Sequence, residues 1–280
     1  MEHTQRQIEY YFLSGNKPLQ ARNLADWMLA NGMVAATTHD VSELLGIPEN
    51  QVRQRMATLR KHGEIVSPAR GLWVPIPPEY RSFGAPEPLY YIDALMEHYC
   101  VDYCIGWLSA AEIYGVGHQA PQVFQTATAR TIRDKKIGQS RLQFRSRDYT
   151  SLAARQKITR SAGRAWVSSP ETTILMLAED YDMGGGIDNV ATVVVELAEE
   201  AESFSEERLI EQAPLFSHAA SRRAGWFLET FSSCDPLDAL ASYCNQSSPS
   251  FTDLYPWTNR EGVRDERWKL VINREVEPDL

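Results

Sequence analysis

The stretch from Thr37 to Ile76 constrains the fold more than any other, because it orders several signals that each demand a particular backbone. Thr38 can cap a short helix that reaches Leu45. Gly46 ends that helix in a tight turn, and Ile47 plugs the corner. Pro48 opens a second helix in its first turn, where a missing N–H costs little. This second helix runs to about His62, with Val52, Met56 and Leu59 on one face at spacings of four and three. Gly63 closes it, and Glu64–Val66 and Gly71–Ile76 read as two short strands around Ser67-Pro68-Ala69-Arg70. Upstream, Arg6–Leu13 and Ala21–Ala30 carry apolar residues at helical spacing, punctuated by Gly15 and Gly32.

The second helix turns a polar face away from its apolar stripe. That face holds Asn50, Arg53, Gln54, Thr58 and Lys61, with Gln51 on its flank. Helix, glycine turn, helix with a cationic and amide face, then a two-stranded wing is the order of a winged helix-turn-helix. In such a module the apolar stripe packs on the preceding helices, while Arg, Asn and Gln meet base edges and phosphates. Arg70, at the tip of the wing, would reach the backbone or the minor groove. These seven residues are the expected contacts, and double-stranded DNA is the expected ligand. Arg55 lies near the edge of the apolar stripe and is assigned no contact. The bland alternative is a structural three-helix bundle with a charged, solvated face.

A net charge of −9 opposes DNA binding only if it is evenly spread, and it is not. Residues 1–81 are close to neutral, with nine Lys/Arg against eight Asp/Glu. Residues 130–164 hold eleven bases and two acids, whereas residues 165–280 hold eight bases and twenty-two acids. A chain of 280 residues with 43% hydrophobic content suggests two packed domains. The proline-rich run Pro75-Ile76-Pro77-Pro78 and the following Phe83-Gly84-Ala85-Pro86 separate them, giving domains at 1–82 and 83–280. No run of eighteen apolar residues occurs, and Met1-Glu2-His3-Thr4-Gln5-Arg6 lacks the apolar stretch of a secretory signal. A cytoplasmic protein with no membrane partner is therefore expected. Cys100, Cys104, Cys234 and Cys244 include no C-x-x-C pair, so neither zinc nor a disulfide is expected, and no cofactor is implied.

Beyond residue 82 the signals are mixed. Tyr90–His98 reads as a helix and Tyr103–Trp107 as a short strand. Ser109 is placed to cap Ala110–Tyr114, with Glu112 completing a capping box. Val123–Ala129, Leu142–Arg145 and Arg164–Ser168 read as strands. Ser169-Pro170-Glu171 is a helix start for Glu171–Tyr181, and Gly184-Gly185-Gly186 leads into a helix over Ile187–Glu200. Helical patterns fill residues 205–244, and Trp268–Ile272 is a terminal strand. The fold class is α+β: an N-terminal winged helix-turn-helix, then a larger mixed α+β domain with a C-terminal helical part.

The basic island comprises Arg130, Arg133, Lys135, Lys136, Arg141, Arg145, Arg147, Arg155, Lys157, Arg160 and Arg164. It reads either as a second phosphate-binding surface or as a solvated face paired with the acidic helices of residues 179–211. Arg222-Arg223 beside Trp226 reads either as a nucleic-acid surface or as helix packing. Asp180-Tyr181-Asp182 has the D-x-D spacing of a magnesium site, but it lacks the preceding Gly-Ser turn of nucleotidyltransferases. No hydrolase, zincin or P-loop motif is present, and His118 and His218 stand alone, so no catalytic residue is assigned.

Two phrases in the second domain carry a family resemblance. They are Gly106-Trp107-Leu108-Ser109-Ala110-Ala111-Glu112-Ile113-Tyr114-Gly115 and Val167-Ser168-Ser169-Pro170-Glu171-Thr172-Thr173-Ile174-Leu175-Met176-Leu177. With a short winged head before them, they resemble the antitoxins of the type IV abortive-infection AbiE toxin–antitoxin systems. The family's "S-x-P-E-x-T-L-L-D-L" phrase loses its acid here, where Met176 stands. The resemblance implies a non-enzymatic protein that represses its own operon through the head. It also implies that the second domain counters a nucleotidyltransferase-like toxin, which a type IV antitoxin need not touch. The alternative is a stand-alone winged-helix regulator whose second domain senses a ligand or partner.

Overall fold

The computed structural model describes residues 2–117, 122–160, 163–200, 204–259 and 261–280. It is a mixed α+β chain that divides into two compact units. The first comprises Met1–Asp102, Ile132–Gln143 and Lys157–Ala165; the second comprises Tyr103–Thr131, Phe144–Gln156 and Trp166–Leu280. The first unit thus runs past residue 82 and takes in two later segments of the chain. His118 and Arg260 lie outside the described residues.

Helix α1 spans Glu2–Leu13, and a 3-10 turn at Ala21–Asn23 leads into α2, Leu24–Ala30. The strand β1, Ala36–Thr37, is followed directly by α3, Thr38–Leu45. The cap of α3 is Thr37, one residue earlier than its sequence suggests. Thr37 Oγ1 accepts from the Asp40 N–H at 3.2 Å, and the Asp40 carboxylate accepts from the Thr37 N–H at 2.7 Å. This reciprocal box needs an acid three residues after the cap, and Asp40 stands there for Thr37 but not for Thr38. Thr38 is the first residue of the helix, and its N–H, which has no intrahelical acceptor, donates to the Gly71 carbonyl at 2.9 Å. Gly46 follows in the left-handed region at φ 61°, and an added Cβ would sit 3.0 Å from Pro18.

Helix α4 covers Glu49–Lys61, with Pro48 just outside it in extended backbone. Val52, Met56 and Leu59 are fully buried or nearly so, packed with Leu24, Met28, Val41, Leu44, Ile65 and Trp73. Burying each such side chain contributes about 1.5–3 kcal/mol. The hairpin β2, Ile65–Ala69, and β3, Leu72–Pro75, is antiparallel, and β3 also pairs with β1. The register shifts between Val66 and Ala69, which is where Pro68 falls. A proline has no N–H to give a ladder, so an irregularity at this position is the arrangement that tolerates it. A 3-10 turn at Pro78–Phe83 and helix α5, Pro88–Tyr99, follow in the same unit.

The later strands are β4 Tyr103–Ile105, β5 Phe124–Thr128, β6 Lys135–Ile137, β7 Ser140–Ser146, β8 Arg155–Arg160 and β9 Gly163–Ser168. They form a sheet of order β6-β7-β5-β4-β9-β8. Within the second unit β4 runs antiparallel to β5 and parallel to β9. Helix α6, Trp107–Tyr114, begins after Gly106, so Ser109 lies inside it instead of capping it. Ser109 is buried; its Oγ accepts from the Gln125 N–H at 2.9 Å and donates to the Val123 carbonyl at 3.3 Å. The hydroxyl expected to start a helix ties that helix to the sheet.

Helices α7 Pro170–Glu179, α8 Ile187–Glu200, α9 Glu206–Gln212, α10 His218–Phe231 and α11 Asp238–Ser247 complete the second unit's core. Ser169 caps α7 through the Thr172 N–H, as its sequence indicates. Three short strands, β10 Thr252–Asp253, β11 Val263–Asp265 and β12 Leu270–Ile272, make a small sheet of order β10-β12-β11. Trp268 beside it is 2% exposed and lies so close to Gly225 of α10 that a Cβ there would come within 2.2 Å of the indole. Among the described residues, no helix is long and apolar enough to cross a membrane.

Candidate nucleic-acid interface

The first unit brings a charged helix face and a hairpin tip to one groove. Because α4 spends its apolar residues on the core side, Asn50, Gln51, Arg53, Gln54, Thr58 and Lys61 are all exposed. Arg70 is exposed at the turn between β2 and β3. A groove of about 810 Å³ is lined by Thr38, Glu49, Asn50, Arg53, Arg60, Ser67, Arg70, Gly71 and Trp73. Three of the seven expected contacts, Asn50, Arg53 and Arg70, therefore share one concavity. Gln54 and Thr58 line a second groove of about 470 Å³ on the other flank of α4, with Arg22, Arg55 and His62. Arg60 was absent from the expected set, although it lies seven residues after Arg53, two helical turns along the same edge.

The groove's hairpin side is anchored. The Arg70 carbonyl accepts from His98 Nε2 at 3.1 Å, and Trp73 Nε1 donates to Thr38 Oγ1 at 3.3 Å. Its helix side carries an acid, Glu49, in the first turn of α4. His39 offsets it: Nδ1 lies 3.0 Å from Glu49 and Nε2 lies 3.7 Å from Glu43. The hydrogen bond to Glu49, then the Glu43 charge, raise the pKa of this exposed imidazole above its usual value. A protonated His39 masks a carboxylate at the mouth of a groove that is otherwise cationic.

The residues of the basic island are divided between the two units. In the first unit Arg133, Lys136, Arg141 and Arg164 are exposed, Lys135 Nζ sits 5.5 Å above the Tyr99 ring, and Lys157 pairs with Asp93 at 3.2 Å. The side chain of Arg160 lies outside the described residues. In the second unit Arg130 is exposed, and Arg145 donates to the Phe144 carbonyl. Arg155 donates to the Tyr103 carbonyl at 2.7 Å and covers the Trp166 ring. Arg147 pairs with Asp180 at 2.5 Å, which ties up one carboxylate of the D-x-D pair. Arg147 to Asp180 is an instance of the pairing anticipated with residues 179–211, whereas Lys157 pairs with Asp93 on α5.

Arg222 and Arg223 are structural. Both are buried, and Arg222 donates to the Ser250, Ser248 and Cys244 carbonyls and to Thr252 Oγ1. Arg223 donates to the Ala178 and Asp253 carbonyls and stacks over Tyr181. Burial lowers the Arg222 pKa, and its charge is offset by carbonyl dipoles that close the ends of the helical core.

Residues 104–230 match the family model of the AbiEi antitoxin C-terminal domain. The crystal structure of the RV2827C protein from Mycobacterium tuberculosis shares the fold, with a TM-score of 0.67 over 89% of this chain and 90% of that one, at 18% identity. No curated protein matches the chain. The matched segment contains both sequence phrases that carry the resemblance, Gly106–Gly115 and Val167–Leu177, and it is this part of the chain that is similar to the AbiEi antitoxin C-terminal domain.

Proposed function

We propose that residues 1–82 are a winged helix-turn-helix that binds the duplex DNA of the chain's own promoter and represses its operon. The likeness of residues 104–230 to the AbiEi antitoxin C-terminal domain supports an antitoxin role with a toxin partner. We assign to residues 83–280 the countering of a nucleotidyltransferase-like toxin in a type IV arrangement, where direct contact between the two proteins is not required. The observation that carries the DNA reading is the convergence of Asn50, Arg53, Arg60 and Arg70 on one groove between α4 and the hairpin. Amide and guanidinium groups on one helix edge suit adenine, guanine and phosphate, and the exposed arginine at the hairpin tip extends that reach.

The test is a titration of promoter duplex and random duplex at two salt concentrations, with Arg53→Ala beside the parent. The parent should prefer the promoter, and the variant should lose about 1–3 kcal/mol of that binding, a factor of roughly 5 to 150. Equal affinity of the parent for both duplexes would remove the head's assignment. The exposed Arg133, Lys136 and Arg141 of the first unit would then be the next surface to examine.

A further inference from the structure

The recognition surface has two cationic edges, and one of them has no role so far. At 100° per residue, Val52, Met56 and Leu59 point α4 into the core, which leaves two shoulders and a crest. Arg53 and Arg60, seven residues apart, occupy the shoulder that faces the hairpin groove with Arg70. Arg55 and His62, also seven apart, occupy the opposite shoulder and line the second groove with Arg22. Asn50, Gln54 and Lys61 form the crest between them.

We infer that α4 lies between two phosphate tracks, with Arg53, Arg60 and Arg70 on one strand of duplex DNA and Arg22 and Arg55 on the other. This rests on the DNA-binding reading of the head and assigns its second wall. The dimensions agree: a helix with its side chains is about 10–12 Å across, and the major groove is about 12 Å wide, so a seated helix brings both shoulders to the bounding backbones. Arg22 and Arg55 are exposed, and among the described residues neither makes an ion pair. His62 is placed beside Glu64 at 3.7 Å, so the second wall's phosphate contact falls to the two arginines. Arg22 comes from the 3-10 turn before α2, an element separate from α4, and its guanidinium widens the wall beyond the helix itself. Two arginines on separate elements share one groove with the amide of Gln54; the acid that also lines it, Glu64, sits against His62, and the two guanidinium groups fit a phosphodiester.

The test compares the parent, Arg53→Ala, the double variant Arg22→Ala/Arg55→Ala and the double variant Arg22→Lys/Arg55→Lys on the promoter duplex. Affinity is followed against salt, and phosphate-ethylation interference is mapped on each strand. Loss of two phosphate contacts should flatten the slope of log K against log salt by about 1.8. Interference should vanish from one strand's phosphates and persist on the other, while the order of preference among operator sequences stays the same. The lysine pair, which retains both charges, should restore most of the slope. If the alanine pair keeps the parent's slope and both interference patterns while Arg53→Ala weakens binding, the second wall is overturned and the DNA reading stands. If the parent shows no preference for promoter DNA, both are overturned.

Discussion

At the scale of single residues, the groove's behaviour turns on how charges are masked. Glu49 would repel phosphate from the mouth of the groove between α4 and the hairpin, and His39 offsets it only while protonated. The contact with Glu49 raises the His39 pKa above 6.5, so the imidazolium persists to higher pH than an isolated histidine would allow. The sign follows: masking is complete below the unperturbed pKa and is lost as pH rises through the raised one. Promoter affinity should therefore fall by roughly two- to fivefold as pH rises from below 6.5 through the raised value, the scale of one exposed ion pair. His39→Gln should flatten that dependence while leaving binding at high pH close to the parent's. Titrations at fixed ionic strength across that range check it, and an unchanged pH profile in His39→Gln would assign the dependence elsewhere. The residue scale is also where sequence is least informative. Arg222 and Arg223 beside Trp226 read equally as a surface or as helix packing, because nothing local announces the Ser248, Ser250 and Asp253 carbonyls that fold back on them from later in the chain.

At the scale of elements, local chemistry decides which boundaries are legible. Helix α8 follows its apolar periodicity, and α7 starts at its Ser169 cap and Pro170, so both stand out from the sequence alone. Strand β8, Arg155–Arg160, alternates no apolar residues and is invisible to pattern reading; the sheet order makes it a strand at one edge. Strands β10 and β11 are two and three residues long, too short to carry a period. In the head the polar face of α4 is legible because one stripe is apolar and the rest is not. Which of its residues share a groove is set by the hairpin, and Arg60 is the consequence. The cap of α3 gives a test at this scale. Asp40 is 4% exposed, and its carboxylate accepts from the Thr37 N–H, the Thr37 hydroxyl and the Gln5 amide at 2.7–2.8 Å. Asp40→Ala removes all three acceptors at once and should cost about 2 kcal/mol of stability. Chemical denaturation would show it as a lower midpoint with an unchanged slope, and a variant with the parent's midpoint would show that the box contributes nothing.

At the scale of the whole molecule, the two assigned activities should separate in one direction only. Arg53 is exposed on α4 and takes no part in the core, so Arg53→Ala should weaken repression of the promoter while leaving protection against the toxin intact. The reverse lesion should not be clean. Gly225 sits in α10 against Trp268, and Gly225→Ala forces a methyl group to within 2.2 Å of the ring, an overpacking that costs about 1–3 kcal/mol. Strands β7, β8 and β9 each contribute residues to both compact units, so loosening the second unit pulls on segments that complete the first. Gly225→Ala should therefore lower the melting temperature and weaken both toxin protection and promoter binding, most visibly near the transition. A reporter fused to the promoter and a toxin-rescue assay, run on both variants over a temperature series, distinguish the outcomes. If Gly225→Ala loses protection but represses as fully as the parent, the shared strands do not couple the units. If Arg53→Ala loses protection along with repression, countering the toxin itself runs through the DNA-binding face.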